Sequence, residues 1–146
     1  MQLLGISASN PFSQKTFADS LKLPYPLLSD YPDLKVIRKY DVLKRVGEII
    51  QSHVRQVDLS ARLGGEEFIV LLIQGNENTN LTVAERIRKA IEDDIFELDT
   101  HQIRYTISIG VAALLPGDDS IQEVISRADE ALYQAKENGR NQVNIG

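Results

Sequence analysis

The chain of 146 residues contains no cysteine, which excludes a disulfide framework and any chemistry that needs a thiolate. Nor does it contain a run approaching the about 18 apolar residues of a membrane-spanning helix, or a cationic, apolar signal peptide at its start. A soluble protein of a reducing cytoplasm is therefore expected. The two histidines, His53 and His101, are isolated from each other in sequence and suit solvated positions better than catalytic ones. Neither glycine nor proline occurs between Pro32 and Gly47, so nothing in that stretch interrupts a helix.

The most informative residues present are Arg62-Leu63-Gly64-Gly65-Glu66-Glu67-Phe68. An apolar strand, Phe68 to Ile73, leaves a two-glycine turn that carries paired carboxylates. Glycines let a backbone approach a ligand closely, and adjacent acids on a tight turn present hard oxygens to Mg²⁺. An ordinary β-hairpin with a solvated acidic tip fits the heptapeptide equally well.

Around this turn the chain alternates strands and helices. Gln2 to Ser7 is a short apolar strand, Pro11 to Leu23 a helix capped by Asn10, and Tyr25 to Leu28 a second strand. From Pro32 to Arg55 the apolar residues Val36, Ile37, Tyr40, Leu43, Val46, Ile50 and Val54 fall in steps of one, three and four, predicting one helix about 36 Å long. Asp58 to Leu63 pairs with Phe68 to Ile73. Thr79 or Asn80 caps a helix bearing Leu81, Ala84, Ile87 and Ile91, and Ile103 to Val111 alternates as a strand paired with Phe96 to Asp99. Ser120 to Glu123 reads as a capping box for a helix that Gly139 ends, and Gln142 to Ile145 is a final strand.

Six blocks carry a family resemblance: Asp41-Val42-Leu43-Lys44, Arg55-Gln56-Val57-Asp58, Arg62 to Phe68, Ala84-Glu85-Arg86-Ile87-Arg88, Thr106 to Val111, and Arg127 to Lys136 followed by Gly139-Arg140-Asn141. In this order and spacing they resemble the GGDEF family, diguanylate cyclases that join two GTP molecules into cyclic di-GMP. Residues 1–40 lack that family's opening strand with its Asp-x-Asp-x-Phe-Lys. Leu4 to Lys15, Phe17-Ala18-Asp19, Pro26 to Asp30 and Val36 to Tyr40 resemble instead an internal part of a peroxiredoxin of the AhpC/TSA, bacterioferritin-comigratory type. Charge shifts at the same place, with five Lys/Arg against three Asp/Glu in residues 1–40 and eleven against eighteen thereafter. Without cysteine the peroxiredoxin-like segment carries no peroxidase chemistry.

The expected fold is a single α/β domain over residues 1–146, a mixed sheet of about six strands flanked by helices. A peroxiredoxin-like βαβα unit, residues 1–40, joins a truncated GGDEF domain of the ferredoxin-like cyclase-palm type, residues 41–146. Two strands of the first unit should lie parallel. The resemblance implies that Glu66 holds Mg²⁺ when GTP binds, that Gly64 and Gly65 lie against GTP, and that Glu67 supports catalysis. It further implies that Asp41 bonds guanine, that Lys136 and Arg140 bind the triphosphate, and that Arg55, Asp58 and Arg86 form an inhibitory cyclic di-GMP site. Lys136 and Arg140 also suit surface cations at a helix C-terminus, and Arg55 and Asp58 a surface ion pair.

Because the family's first-strand aspartate is missing, Asp30 is the acid placed to compensate as a metal ligand. The expectation is thus an engineered or recombined chimera with no complete active site and no enzymatic function. Two rival readings are a diguanylate cyclase and a module that binds GTP or cyclic di-GMP. The expected partners are these nucleotides, not a nucleic-acid polymer or a membrane, and the chain is a monomer or homodimer.

Overall fold

A computed structural model describes residues 2–8, 35–73, 77–98 and 100–146. In chain order its elements are β1 (Gln2–Ala8), α1 (Lys35–His53), β2 (Leu59–Gly64), β3 (Glu67–Leu72), α2 (Glu77–Asp93), β4 (Ile95–Leu98), β5 (His101–Arg104), β6 (Ile107–Ala113), α3 (Ile121–Glu137) and β7 (Val143–Ile145). A mixed five-stranded sheet runs β2-β3-β1-β6-β7, and β4 and β5 form a separate hairpin. The α/β class is as expected.

Within the sheet, β1 is central and antiparallel to both neighbours: Ile6 pairs with Phe68 on β3 and with Ile109 on β6. The parallel strand expected beside it, together with the helix from Pro11 and the candidate ligand Asp30, lies outside the described residues. Among the described residues the parallel pair is β6 and β7, Ile109 facing Val143, and α3 makes the crossover between them.

Alternation divides the side chains between two faces. Phe68, Val70 and Leu72 of β3 and Ile107, Ile109 and Val111 of β6 meet Leu43, Val46 and Ile50 of α1 and Ala84, Ile87 and Ile91 of α2 in the main core. The opposite face, with Ala112 of β6 and Ile69 and Leu71 of β3, packs on Val124 and Ala128 of α3. The helical stripe predicted through Leu43, Val46 and Ile50 is the buried one.

Gly110 shows why α3 sits so close to the sheet. A Cβ there would lie 2.0 Å from the Ala128 carbonyl oxygen and 2.4 Å from the Leu132 nitrogen. Only glycine lets the helix backbone rest on the strand.

Three local expectations are corrected. Helix α2 begins at Glu77, so Thr79 and Asn80 lie inside its first turn instead of capping it; Asn80 is buried. Ser120 occupies the N-cap of α3, but its hydroxyl makes no capping bond and reaches Glu123 Oε1 only at 3.4 Å. The alternating run from Ile103 to Val111 breaks at Tyr105 and Thr106, because β5 pairs with β4 whereas β6 crosses into the main sheet.

Candidate functional site

The two-glycine turn is a distorted hairpin. Strand β2 has a bulge between Arg62 and Gly64, after which Gly64 pairs with Glu67. Gly65 has φ 53, a left-handed conformation that glycine adopts without strain. Arg62 folds back and donates from Nε to the Gly65 carbonyl at 3.0 Å, bracing the turn. Glu66 stands half-buried at the tip, and Glu67 is exposed at the start of β3.

The sheet register extends a row of residues away from this turn. Glu67 faces Ser7 on β1, Ser7 faces Ser108 on β6, and the next residue, Ile109, accepts Gln142 as its neighbour by donating its N–H to the Gln142 carbonyl at 2.9 Å. Three strand spacings, about 14 Å, therefore separate Glu67 from the chain just after α3. Lys136 lies in the last turn of that helix and Arg140 two residues before Gln142. The turn and both cations share one end of the sheet.

Asp41 reaches the same end over the other face. Gly47 of α1 stands above Phe68, a Cβ there falling 3.6 Å from Phe68 Cε1. Asp41 is six residues nearer the helix start, about 9 Å along the axis, which carries it past the beginning of β3 toward the glycine turn. The structure thus gathers Asp41, Gly64, Gly65, Glu66, Glu67, Lys136 and Arg140 at one end. Arg140 now donates from a terminal guanidinium nitrogen to the Lys136 carbonyl at 3.3 Å, as a cation closing the helix C-terminus does.

The donor set fits Mg²⁺ of the kind that arrives with a polyphosphate. That ion commonly takes one or two carboxylates and completes its octahedron with phosphate oxygens and water; Glu66 and Glu67 supply two adjacent carboxylates. Among the described residues no group of three His, Cys, Asp or Glu side chains forms an all-protein cage.

Arg55 and Asp58 pair at the opposite end, where α1 finishes, and Arg86 reaches the last residue of α1 there. The Asp58 side chain is 2% exposed and accepts the N–H groups of Arg55 and Ile73, both at 2.9 Å, and Arg55 Nε at 3.1 Å. Burial pushes its pKa up, but the Arg55 guanidinium and the two backbone donors outweigh that and hold it below the usual range. Arg55 also donates to the Ile73 carbonyl at 2.6 Å, and Arg86 to that of His53 at 2.6 Å. The ion pair is therefore part of the scaffold joining α1, β2 and β3, with one side of Arg55 left exposed.

Sequence reasoning missed the residues that brace these groups. Arg127 clamps the loop before α3, reaching Asp118 at 2.6 Å and the Ala113 carbonyl at 2.6 Å, and Arg45 bonds Asp94, which also accepts from Tyr105. A groove of about 400 Å³ between α1 and α2 is lined in part by Arg45 and Asp94; it lies along the helices, away from the glycine turn. No spacing signal marks such long-range pairs.

The family model described as "Diguanylate cyclase, GGDEF domain" matches residues 41–142. The chain belongs to the GGDEF family. It is 45% identical over 104 residues to Diguanylate cyclase A of Treponema denticola, covering 71% of this chain and 28% of that protein. Diguanylate cyclase DosC of Escherichia coli K12 is 39% identical over 106 residues, covering 72% and 23%. The chain thus spans about a quarter of these relatives' length. Among solved structures, the active GGEEF domain of a diguanylate cyclase from Vibrio cholerae superposes with a TM-score of 0.74 at 27% identity, over 99% of this chain and 81% of that one. An AhpC/TSA family model also matches, over residues 1–76.

These findings overturn the expectation of a chimera without enzymatic function. The likeness to GGDEF structures is not confined to residues 41–146 but runs over 99% of the chain, and β1 completes the centre of the sheet despite its departure from the family's opening strand. The AhpC/TSA match agrees with the peroxiredoxin-like reading of residues 1–40, and β1 takes its place without the family's acids because strand pairing uses backbone groups, which any apolar strand supplies. No helix among the described residues is long and apolar enough to cross a membrane.

Proposed function

We propose that this chain is the catalytic domain of a diguanylate cyclase, condensing two GTP molecules to cyclic di-GMP with release of two pyrophosphates. The observation that carries the reading is the convergence, at one end of the sheet, of the Gly64-Gly65-Glu66-Glu67 turn with Asp41 and with Lys136 and Arg140. Family membership and the named activities of the Treponema and Escherichia relatives support it.

Each group has a role suited to its chemistry. The glycine turn, without side chains, admits the triphosphate against backbone, and Lys136 and Arg140 neutralise phosphate charge from the far side of β6. Asp41 accepts the donor edge of guanine. Glu66, beside Glu67, would hold Mg²⁺, which supplies charge neutralisation at the phosphates when bound. Glu67, the exposed carboxylate at the head of β3, assists the attacking 3′-hydroxyl. Since phosphoryl transfer depends mostly on positioning and electrostatics, these groups suffice without a dedicated nucleophile on the protein.

Two GTP-loaded copies must face each other, so the working form is a homodimer. Arg55, Asp58 and Arg86 form a product site, Arg55 offering its exposed side. Pyrophosphate release with GTP and Mg²⁺ tests the reading. GTP but not ATP should be turned over, Asp41→Ala should erase that preference, and equal turnover of both nucleotides would refute the guanine role.

A further inference from the structure

The turn that carries Arg140 has an unusual backbone. Gly139, Arg140 and Asn141 follow one another at φ 109, 63 and 48. Only the first is glycine. Two consecutive non-glycine residues in the left-handed region persist where surrounding contacts over-determine them.

Those contacts converge on Asn141. Its side-chain oxygen accepts from Arg88 at 2.8 Å, and its side-chain nitrogen donates to Glu92 Oε1 at 2.7 Å. Both partners belong to α2, 49 and 53 residues away. The partners are themselves fixed: Arg88 is only 16% exposed and bonds Glu85 at 2.8 Å and Glu92 at 3.2 Å, and Lys89 holds Glu92 at 3.0 Å. Lys89, then Asn141 and Arg88, keep the Glu92 carboxyl ionised, its pKa lowered to about 2. One backbone and one side-chain bond complete the frame: the Arg140 N–H donates to the Ala135 carbonyl at 3.0 Å, and the Gln142 side-chain Nε2 donates to the same oxygen at 2.8 Å.

We propose that Asn141 is a positioning residue for nucleotide binding: by bridging Arg88 and Glu92 it locks the left-handed turn and so aims Arg140 at the phosphates. This rests on the diguanylate cyclase reading. The bridge ties the phosphate end of α3 to α2, which packs on the opposite face of the sheet. Without it the turn relaxes to ordinary φ values, and Arg140, one residue away, swings with it. Local strain thus acts on phosphate affinity alone, since Asp41 and the glycine turn belong to other elements.

The test is calorimetry of GTP and of GMP, each with Mg²⁺, on the whole chain and its variants. Asn141→Gly keeps the permitted backbone but removes the bridge, and Glu92→Ala removes it from the other side. Both should weaken GTP at least fivefold while leaving GMP within twofold, and Asn141→Gly should add nothing further to Arg140→Ala. Equal weakening of GTP and GMP, unchanged GTP affinity, or multiplicative effects with Arg140→Ala would overturn the proposal. A wild-type chain that binds no GTP would overturn both this and the cyclase reading, whereas GTP binding without cyclic di-GMP formation would overturn the cyclase reading alone.

Discussion

Replacing Gly110 by alanine should be among the most damaging single changes in the sheet. The added methyl would stand 2.0 Å from the Ala128 oxygen, 2.4 Å from the Leu132 nitrogen and 2.9 Å from Leu132 Cβ. The first two are backbone atoms of α3, which no rotamer change can move aside. Ordinary contact begins near 3.4 Å, so the helix must retreat by about 1.4 Å. A gap of that order forfeits much of the dispersion contact of Val124, Ala128, Ala131, Leu132 and Ala135, the buried side of α3. Overpacking costs about 1–3 kcal/mol where side chains can adjust; here they cannot, so about 3 kcal/mol is expected, or about 10 °C in Tm for a chain of this size. Urea titration should show a lower midpoint at an unchanged slope. Gly117→Ala is the control, since nothing lies within 4 Å of its added methyl, and it should stay within about 0.5 kcal/mol of wild type. A loss below about 0.5 kcal/mol for Gly110→Ala would refute the claim that α3 rests on β6 backbone to backbone.

Gly47→Ala should stabilise by up to about 1 kcal/mol, because the site is helical and the nearest atom, Phe68 Cε1, lies at a normal 3.6 Å; thermal denaturation reads the gain. Asp58→Ala orphans the buried-side N–H groups of Arg55 and Ile73 and should cost about 3 kcal/mol by urea titration, with Asp58→Asn milder. In acid, the carboxyls of Glu92 and Asp118, both lowered to about 2, with Asp58 and Asp94 also lowered, favour the folded state above their unfolded pKa of about 4. Stability should therefore be flat between about pH 6 and 9 and fall as pH drops from about 4.5 toward 2. Arg127 is the main cause at Asp118, so Arg127→Gln should reduce that acid-side slope in urea titrations at stepped pH.

Much of this architecture was legible from periodicity. The stripe of Leu43, Val46 and Ile50 and the continuous apolar run after Phe68 report burial directly, and those elements stand within a few residues of their expected limits. The start of α3 after Ser120 was legible, whereas that of α2 was not, because Thr79 and Asn80 have the composition of caps yet lie inside the first turn. Strand β1 was legible as an apolar strand from Gln2, but its central, antiparallel place in the sheet was not. Its sequence lacks the family's acids, yet its apolar alternation is sufficient to pair with β3 and β6. For the candidate site, the turn and the cations were readable as local motifs, whereas their assembly at one end depends on register. The bracing contacts of Asn141, Arg88 and Glu92 join residues 49 and 53 positions apart and leave no trace in spacing.

The most direct test of the account is whether the chain converts GTP to cyclic di-GMP in the presence of Mg²⁺, followed by chromatography and mass spectrometry. Wild type should accumulate cyclic di-GMP, and Glu66→Gln and Glu67→Gln should each lower the rate at least a hundredfold while their melting temperatures stay near that of wild type. No product from the wild-type chain, or turnover indifferent to both substitutions, would contradict it.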